Sequence, residues 1–295
     1  MIKTRDIKIG NDFFDAISHP KGCRKLWIYR GNSKRDYNLL PNAFRTNFPK
    51  KESEKLSNLV GLLDNPPALE DAISKLRTTE DVKLFQEWKK RACNHLNKNY
   101  QSDLNDWELL AIAQHHGLYT RLLDWTENPL VAFYFASCSD PDYEGAVWTL
   151  GYASKLNPDE CSKKEYYNWH GIRIFAPNPS DKRIFAQQAL FTIHDTSISI
   201  DLVMKIDDDT KITKVLKNLY GLDRPFILQQ YIISKAMKKN ILPLLDTWGI
   251  NHERLFPGTI FDDKTDPELV LITQELTEDY NKHIHSSPLS SGISD

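Results

Sequence analysis

Two strongly apolar helical segments joined by a short polar loop constrain the fold more than any other part of the chain. Asn105 and Glu108 have the spacing of a capping box, so a helix is expected to begin there. Apolar residues then recur at helical spacing until Gly117, which suits the left-handed position that commonly ends a helix. Asn128 and Pro129 predict the start of a second helix. Its residues (LVAFYFAS) are apolar on every side, so this helix should be buried.

The second helix also predicts a close contact. Ala132 and Ala136 lie four residues apart, on one face of the helix. Small side chains at both positions would let another backbone approach closely.

The loop between the two helices carries the densest group of polar side chains in the chain. Polar groups held between apolar elements must be hydrogen-bonded, and loops on rigid scaffolds commonly supply binding residues. Two interpretations stay open at this point. In one, Arg121 and Asp124 form a structural clamp and His116 is satisfied in the core. In the other, the loop is the floor of a binding pocket.

Strand patterns dominate the second half of the chain. Short β-rich runs at 144–150, 190–194 and 226–233 predict strands, and the alternation over 198–204 predicts a further one. A helix is expected over 235–248, with Pro243 arguing for a break or a late start.

Taken with a strand at 26–31 and helical texture over 50–104, these patterns indicate an α+β fold. We expect a mixed, mainly antiparallel sheet with an inserted helical layer. The expected organisation is a single domain over residues 1–285, followed by a disordered tail at 286–295.

Composition narrows the functional classes. The net charge of −2 excludes a global attraction to nucleic acid, although a local basic groove is compatible with it. Four isolated cysteines, no signal-peptide pattern and no apolar run long enough to span a membrane favour a cytoplasmic protein without a membrane partner. Phosphate-loop, dinucleotide-fold and serine-hydrolase motifs do not occur. No metal is expected, because His115 and His116 are adjacent and would point about 100° apart on a helix.

Two further groups of polar residues are candidates. Arg30 ends a predicted strand beside Gly31, where its guanidinium would suit phosphate and the glycine would permit close approach of a ligand. A salt bridge at the strand end is the alternative. Gln187 and Gln188 precede a β-rich run and would face opposite sides of a strand, so only one would reach a given pocket.

Together these segments resemble the FRG-domain family. The YRG at 29–31 matches its name-giving motif, and YNLLPNAFR at 37–45 matches the pattern that follows. The run QHHGLYTRLLDWTENPLVAFYFA at 114–136 matches the central signature, with Tyr119 in place of the usual proline. Segments 187–192 and 249–258 resemble later family blocks, so the resemblance spans about residues 25–260.

A weaker resemblance links the chain to ADP-ribosyltransferases. Their first strand commonly carries Arg followed by Gly, as at Arg30-Gly31. Their second block is a strand with a hydroxyl residue followed by a helix with Ala and Phe, which places Thr126 in the hydroxyl position. Gln188 best matches the third block, where the family has a catalytic Glu or Gln. Because this chain has no Glu there, orienting the nicotinamide ribose would fall to Gln188 or Asp124.

The resemblance implies an α+β core like that of these enzymes, NAD as substrate and no metal. Arg30 would bind the diphosphate or ribose, His116 or Thr126 would bind the nicotinamide side, and Trp125 or Tyr29 would stack on its ring. Asp124 would stabilise the oxocarbenium-like ribose. The implied catalytic set is Asp124, Gln188, His116 and Arg121; the implied NAD-binding set is Arg30, Gly31, Tyr29, Gln114, His115, Trp125, Thr126 and Gln187.

The implied reaction is ADP-ribosylation of a macromolecular acceptor, which is RNA, DNA or protein. A toxin or phage-defence effector, held by an antitoxin or regulator protein, would fit that chemistry. We further expect Arg30, His116, Arg121, Asp124 and Gln188 to converge in one cleft.

Two other functional classes stay open. A metal-independent nuclease or phosphodiesterase would use His115 or His116 as base and Arg121 to stabilise phosphate charge. A non-catalytic module would sense a nucleotide or a partner in the same pocket. Dependence on NAD separates the transferase from both.

Overall fold

A seven-stranded sheet in the order β1-β7-β4-β2-β3-β6-β5 lies at the centre of the computed structural model. The structure describes residues 3–7, 26–45, 52–77, 80–99, 104–152, 155–156, 160–161, 165–177, 182–204, 209–220, 227–257 and 267–286. The strands are β1 (Lys3–Ile7), β2 (Leu26–Asn32), β3 (Leu122–Thr126), β4 (Gly145–Tyr152), β5 (Arg173–Phe175), β6 (Ala189–Ile193) and β7 (Ile227–Ile233). Only β1 and β7 pair in parallel among these strands; the other neighbours are antiparallel.

Helices cover both faces of the sheet. They are α1 (Asn42–Arg45), α2 (Glu52–Gly61), α3 (Pro66–Leu76), α4 (Glu80–Asn99), α5 (Asp106–His115), α6 (Pro129–Ser137), α7 (Lys182–Ala186), α8 (Ile200–Met204), α9 (Asp209–Tyr220), α10 (Lys235–Thr247), α11 (His252–Leu255) and α12 (Pro267–Ser286), with a short 3₁₀ helix at Tyr166–Asn168. The α+β class predicted from the sequence is confirmed, as is a mainly antiparallel sheet.

The strands alternate apolar side chains between two buried faces. On the first face, one core cluster runs across strands β2 to β7 and packs against α2, α3, α8 and α9. On the second face, α6 and α10 cover one half and α4, α5 and α12 cover the other. Both sides of the sheet are therefore buried.

The sequence patterns suggested a single helical layer, but the helices over residues 52–99 lie on both faces of the sheet. Leu59 of α2 and Ile73 of α3 belong to the core of the first face, whereas Phe85 and Trp88 of α4 belong to the core of the second. Helix α12, which the patterns did not predict, lies against α4, and the Trp88 indole donates to the Thr273 hydroxyl at 2.9 Å. The boundaries of the predicted single domain stay a prediction, and the predicted tail lies outside the described residues beyond Ser286.

Local helix signals were accurate. Asn105 forms a complete capping box with Glu108, and Asn128 caps α6 with Pro129 in its first turn. Gly117 has a φ of 96°, as a helix-terminating glycine requires.

Two expectations about the second half were wrong. Residues 198–204 form a buried loop and helix α8 instead of a strand, because every residue from 190 to 201 is buried on all sides and alternation carries no information there. Helix α10 continues through Pro243 without a break. Pro243 and Lys239 are both exposed, so water can bind the Lys239 carbonyl that loses its helical donor.

Gly31 of β2 packs directly against the backbone of α6. A Cβ atom at Gly31 would lie 2.0 Å from the Ala132 carbonyl oxygen and 2.6 Å from the Ala136 nitrogen. This contact confirms the close approach expected from Ala132 and Ala136. It also shows that Gly31 makes room for a helix and not for a ligand, so the ligand-binding role expected from the sequence is wrong.

Gly31→Ala is therefore expected to destabilise the protein by about 3 kcal/mol, at the upper end of overpacking costs, because the clash is with backbone that cannot change rotamer. Urea denaturation would measure it. Gly61→Ala is the matched control: a Cβ there meets nothing within 4 Å in helix α2, so it should be neutral or stabilise by up to about 1 kcal/mol. Equal midpoints for the two variants would contradict the packing of β2 on α6.

Candidate functional site

Strands β2 and β3 diverge after a single residue pair, and the candidate site lies where they part. Within the described residues, Tyr29 and Thr126 are the only pair that joins the two strands, whereas β2 and β4 share seven pairs. The sheet thus consists of two halves held together at one end of this junction. At the other end, toward the carboxyl end of β2 and the amino end of β3, the two strands do not pair. Their backbone N–H and C=O groups can therefore bind side chains there.

Arg30 lies across this divergence. Its Nη1 donates to the backbone carbonyl of Asp124 at 2.8 Å and contacts the Asp124 carboxylate at 3.4 Å. Burial lowers the pKa of Arg30, and the Asp124 carboxylate partly offsets that effect. A desolvated guanidinium beside a carboxylate stays charged at neutral pH, since the ordinary pKa of Arg lies far above 7. Arg30 therefore both closes the junction and places a positive charge in it.

Asp124 combines exposure with a fixed orientation. Its side chain is 53% exposed, yet one carboxylate oxygen accepts from the Gln114 amide at 2.6 Å. The Gln114 carbonyl oxygen in turn accepts from the Thr120 hydroxyl. Because a carboxylate can only accept, this chain also fixes which way the Gln114 amide points. The result is a carboxylate held in place with one side open to solvent.

A second guanidinium, that of Arg45, lies near the same carboxylate. Helix α1 is attached to the loop before β3 by the Ala43 N–H, which donates to the Thr120 carbonyl at 3.2 Å. Desolvation, followed by repulsion from Arg30, lowers the pKa of Arg45 to about 10, while attraction to Asp124 acts in the opposite direction. Two cations and one anion therefore meet here, a balance that favours an anionic ligand.

Arg45 and Tyr37 were not among the site residues expected from the sequence. The only signal was their membership of the 37–45 motif, since nothing in the local pattern predicts that this segment folds back beside β3. Tyr37 is 47% exposed and lies near Arg45, and the Lys34 ammonium lies over its ring at 5.7 Å from the centroid.

The YRG motif divides its residues between the two faces of the sheet. Tyr29 is buried in the core beneath α6 and Gly31 contacts the same helix, while Arg30 points to the other face. Tyr29 therefore cannot stack on a ligand as proposed from the resemblance. The alternation of a strand explains why an arginine stands between two packing residues.

Trp125 and Thr126 are also structural. Trp125 is 2% exposed, and its indole N–H donates to the Thr192 hydroxyl at 2.9 Å on the first face. The Thr126 hydroxyl donates to the Gln187 carbonyl at 2.7 Å and accepts from the Asn128 N–H at 3.0 Å. Both side chains are thus committed within the protein, so the expected roles in stacking and in binding nicotinamide are wrong.

Arg121 does not pair with Asp124. Its guanidinium forms two hydrogen bonds with Asp81 of α4, at 2.7 and 2.8 Å, and the two side chains are 4% and 1% exposed. The expected clamp is therefore replaced by a buried ion pair between β3 and α4. Arg121 cannot stabilise substrate charge, which also removes the phosphate-binding group of the nuclease hypothesis.

The remaining candidates lie around the cleft or beyond it. His115 ends α5 with its ring 6.3 Å from that of Phe191, and His116 is the C-cap residue, so both are partly buried beside Gln114. Gln187 and Gln188 form a turn before β6 instead of starting the strand. The Gln187 amide donates to the Leu255 carbonyl at 3.0 Å, while Gln188 is exposed with a φ of 46°.

The expected convergence therefore holds for Arg30 and Asp124 but not for Arg121. Gln188 lies at the carboxyl end of β3, away from the end where β2 and β3 diverge. Among the described residues, no group of three His, Cys, Asp or Glu side chains is placed to hold a metal ion.

An α+β fold with two arginines and one exposed carboxylate at the cleft where β2 and β3 diverge is the class that this geometry defines. Residues 25–144 match the FRG domain, so the chain is similar to FRG-domain proteins over this segment. The match covers Arg30, Arg45, Gln114 and Asp124; the later segments that resemble family blocks lie outside it. No curated protein and no solved structure matches the chain. No helix among the described residues is long and apolar enough to cross a membrane.

Proposed function

We propose that the cleft binds NAD and transfers its ADP-ribosyl group to a macromolecular acceptor. One observation carries the proposal: the exposed Asp124 carboxylate is oriented by Gln114 and lies beside two guanidinium groups. A substrate that suits this arrangement has an anionic part for the arginines and develops positive charge near the carboxylate. NAD meets both conditions, since its diphosphate is anionic and its ribose becomes oxocarbenium-like during transfer.

In this reaction the bond from ribose C1′ to the nicotinamide nitrogen breaks, and its electron pair leaves with nicotinamide. The acceptor nucleophile forms the new bond to C1′ and its proton passes to solvent. Asp124 stabilises the positive charge on the ribose, and its orientation by Gln114 means that little reorganisation is needed during the reaction.

Arg30 and Arg45 bind the diphosphate, for which guanidinium groups are well suited. Tyr37 takes the stacking role that Tyr29 and Trp125 cannot fill, because its aromatic side chain is exposed and lies near Arg45. Gln188 is assigned a supporting role at the ribose or the acceptor, since it is exposed just before Ala189, which pairs with Thr126 at the carboxyl end of β3.

The acceptor is proposed to be RNA, DNA or protein, and the biological role that of a toxin or defence effector under the control of a regulator protein. A non-catalytic nucleotide sensor would use the same cleft. The test is NAD consumption by the purified protein, followed by mass spectrometry with RNA, DNA and cell protein as acceptors. Release of nicotinamide with a mass gain on one acceptor supports transfer; NAD binding without turnover would identify a sensor, and RNA cleavage without NAD a nuclease.

The role of Arg45 can be tested by ligand-induced stabilisation. NAD at about 100 times its dissociation constant should stabilise the wild type by about 2.7 kcal/mol, a shift of a few degrees in Tm. Arg45→Ala should weaken NAD binding about tenfold, through loss of one charge-assisted contact. The unliganded protein should stay folded, because the substitution removes a single hydrogen bond among the described residues, from Arg45 Nε to the Leu40 carbonyl at 2.8 Å. Differential scanning fluorimetry over a range of NAD concentrations measures both.

The matched control is Arg91→Ala, which removes an exposed arginine of α4 that pairs with Glu87. It should leave the NAD-dependent shift unchanged. An undiminished shift in Arg45→Ala would remove Arg45 from the proposed diphosphate site.

A further inference from the structure

A chain of buried hydrogen bonds on the first face of the sheet ends at His194. The Trp125 indole donates to the Thr192 hydroxyl, and Thr192 is 2.9 Å from His194 Nε2. His194 directly follows β6, and its backbone N–H donates to the Arg121 carbonyl at 3.1 Å, which continues the pairing with β3. The ring is therefore fixed at the end of the sheet where β2 and β3 diverge.

The hydrogen-bonding capacity of Thr192 determines the tautomer of His194. The hydroxyl has one proton, and it already accepts the Trp125 indole proton. The oxygen could accept a second bond, but the Thr192 proton would then have no acceptor among the described residues, so we assign it to His194 Nε2, which places the histidine proton on Nδ1. Nδ1 points away from Thr192, is buried, and has no hydrogen-bond partner within the described part of the chain.

His194 is held neutral. Its side chain is 1% exposed, and burial, followed by the positive charges of Arg30 and Arg121, lowers the pKa of His194 to about 3. At neutral pH the ring is thus a hydrogen-bond donor without a charge.

Arg30 supplies a second unused donor nearby. Its Nη1 binds Asp124, but its Nε is buried without a partner among the described residues. Arg30 lies on the same face as Thr192, since its strand partner Trp148 shares a core cluster with Trp125. The guanidinium extends from β2 to the β3 backbone, toward the sheet end that carries His194. Buried donors are normally hydrogen-bonded, so two of them in one region point to a shared acceptor.

We propose that Arg30 Nε and His194 Nδ1 together bind one phosphoryl oxygen of a diphosphate group at the bottom of the cleft. The inference rests on the proposed function for the identity of the dinucleotide, and the two donors require only the diphosphate. A neutral donor adds a bond to an oxygen without adding charge, and Arg30 provides the charge. His194 is then a positioning and binding residue for the anionic part of the substrate.

Two substitutions of His194 distinguish the roles of its two ring nitrogens. Gln places an amide near the position of Nε2, so His194→Gln keeps a partner for Thr192 and loses the Nδ1 donor. Asn places an amide near the position of Nδ1, so His194→Asn keeps the donor and loses the Thr192 bond. A merely structural histidine would be replaced better by Gln, whereas the proposed donor is replaced better by Asn.

The probe is inorganic pyrophosphate, titrated calorimetrically at constant ionic strength, with Tm measured for each variant. We expect His194→Gln to bind pyrophosphate about tenfold more weakly than the wild type, as loss of one hydrogen bond to a charged group implies, and His194→Asn to bind it more tightly than His194→Gln. Wild-type affinity in His194→Gln, or equal losses in both variants, would overturn the proposal.

Arg30→Lys decides the matter if neither His194 variant folds. It keeps the positive charge and removes the Nε donor, so binding should again weaken about tenfold; unchanged affinity would overturn the shared site. Failure of the wild type to bind pyrophosphate would also overturn it. If the wild type binds pyrophosphate through His194 but consumes no NAD, the proposed diphosphate site stands and only the transferase activity is refuted.

Discussion

Asp81→Ala is expected to destabilise the protein by about 3–5 kcal/mol, enough to remove a large part of the stability of a typical domain. The reason is that Arg121 would stay buried without its carboxylate. Both hydrogen bonds of the pair are short, at 2.7 and 2.8 Å, and neither side chain reaches solvent. Urea denaturation followed by circular dichroism measures the change as a shift in midpoint at constant slope.

An exposed pair provides the control. Asp71 and Lys75 of α3 form an i,i+4 ion pair whose side chains are 63% and 73% exposed. Asp71→Ala should change the free energy of unfolding by no more than about 0.5 kcal/mol. The double variant Asp81→Leu with Arg121→Met should recover most of the loss, because removing both charges leaves no unpaired buried group. A small effect of Asp81→Ala would mean that Arg121 finds solvent in its absence.

Asp124→Asn is expected to lower turnover of NAD by about 10²–10³-fold while the protein stays folded, if the proposed transferase activity is correct. The substitution preserves shape and removes the negative charge that faces the developing oxocarbenium ion. Its effect on folding should be small, because the side chain is half exposed and the Asp124 backbone carbonyl still accepts from Arg30. Nicotinamide release at saturating NAD measures turnover, and a melting curve measures stability.

Asp279→Asn is the matched carboxylate-to-amide control, on the exposed surface of α12 where Asp279 pairs with Lys282. It should leave turnover unchanged. Turnover by Asp124→Asn within about threefold of the wild type would remove Asp124 from the catalytic role, since loss of a stabilising charge costs far more than that. Gln188→Ala would then be the next variant to measure.

Short-range signals predicted much of this protein because they depend on residues that are close in sequence. The capping box at Asn105 and the helix start at Asn128 are hydrogen bonds within four residues, and sequence spacing is sufficient to identify them. Small side chains at helical spacing also predicted that some backbone lies close to α6, and the structure shows that it is that of Gly31. The same reasoning failed at residues 198–204, where burial on all sides erases the difference between a strand and a loop.

The candidate site was predicted in part, for the same reason. Asp124 and Gln114 lie within one continuous segment, so the sequence is sufficient to predict a polar pocket there. Arg45 and His194 could not be found this way. They are far from Asp124 in sequence, at the ends of α1 and β6, and only the fold places these two elements beside β3. Arg121 illustrates the opposite error. It is three residues from Asp124, but the partner that neutralises it is Asp81, 40 residues away.

The sequence by itself determined the helix boundaries around the central loop, the alternation that separates Arg30 from Tyr29 and Gly31, and the similarity of residues 25–144 to the FRG domain. Tertiary structure alone decided which polar residues face the cleft. Strand alternation places side chains on two faces, but only the packed helices decide which of them stay open to solvent. Hence Trp125 is buried beside an exposed Asp124. Because β2 diverges early from β3, the Arg30 side chain binds the Asp124 backbone carbonyl, where a hydrogen bond between the strands would otherwise form.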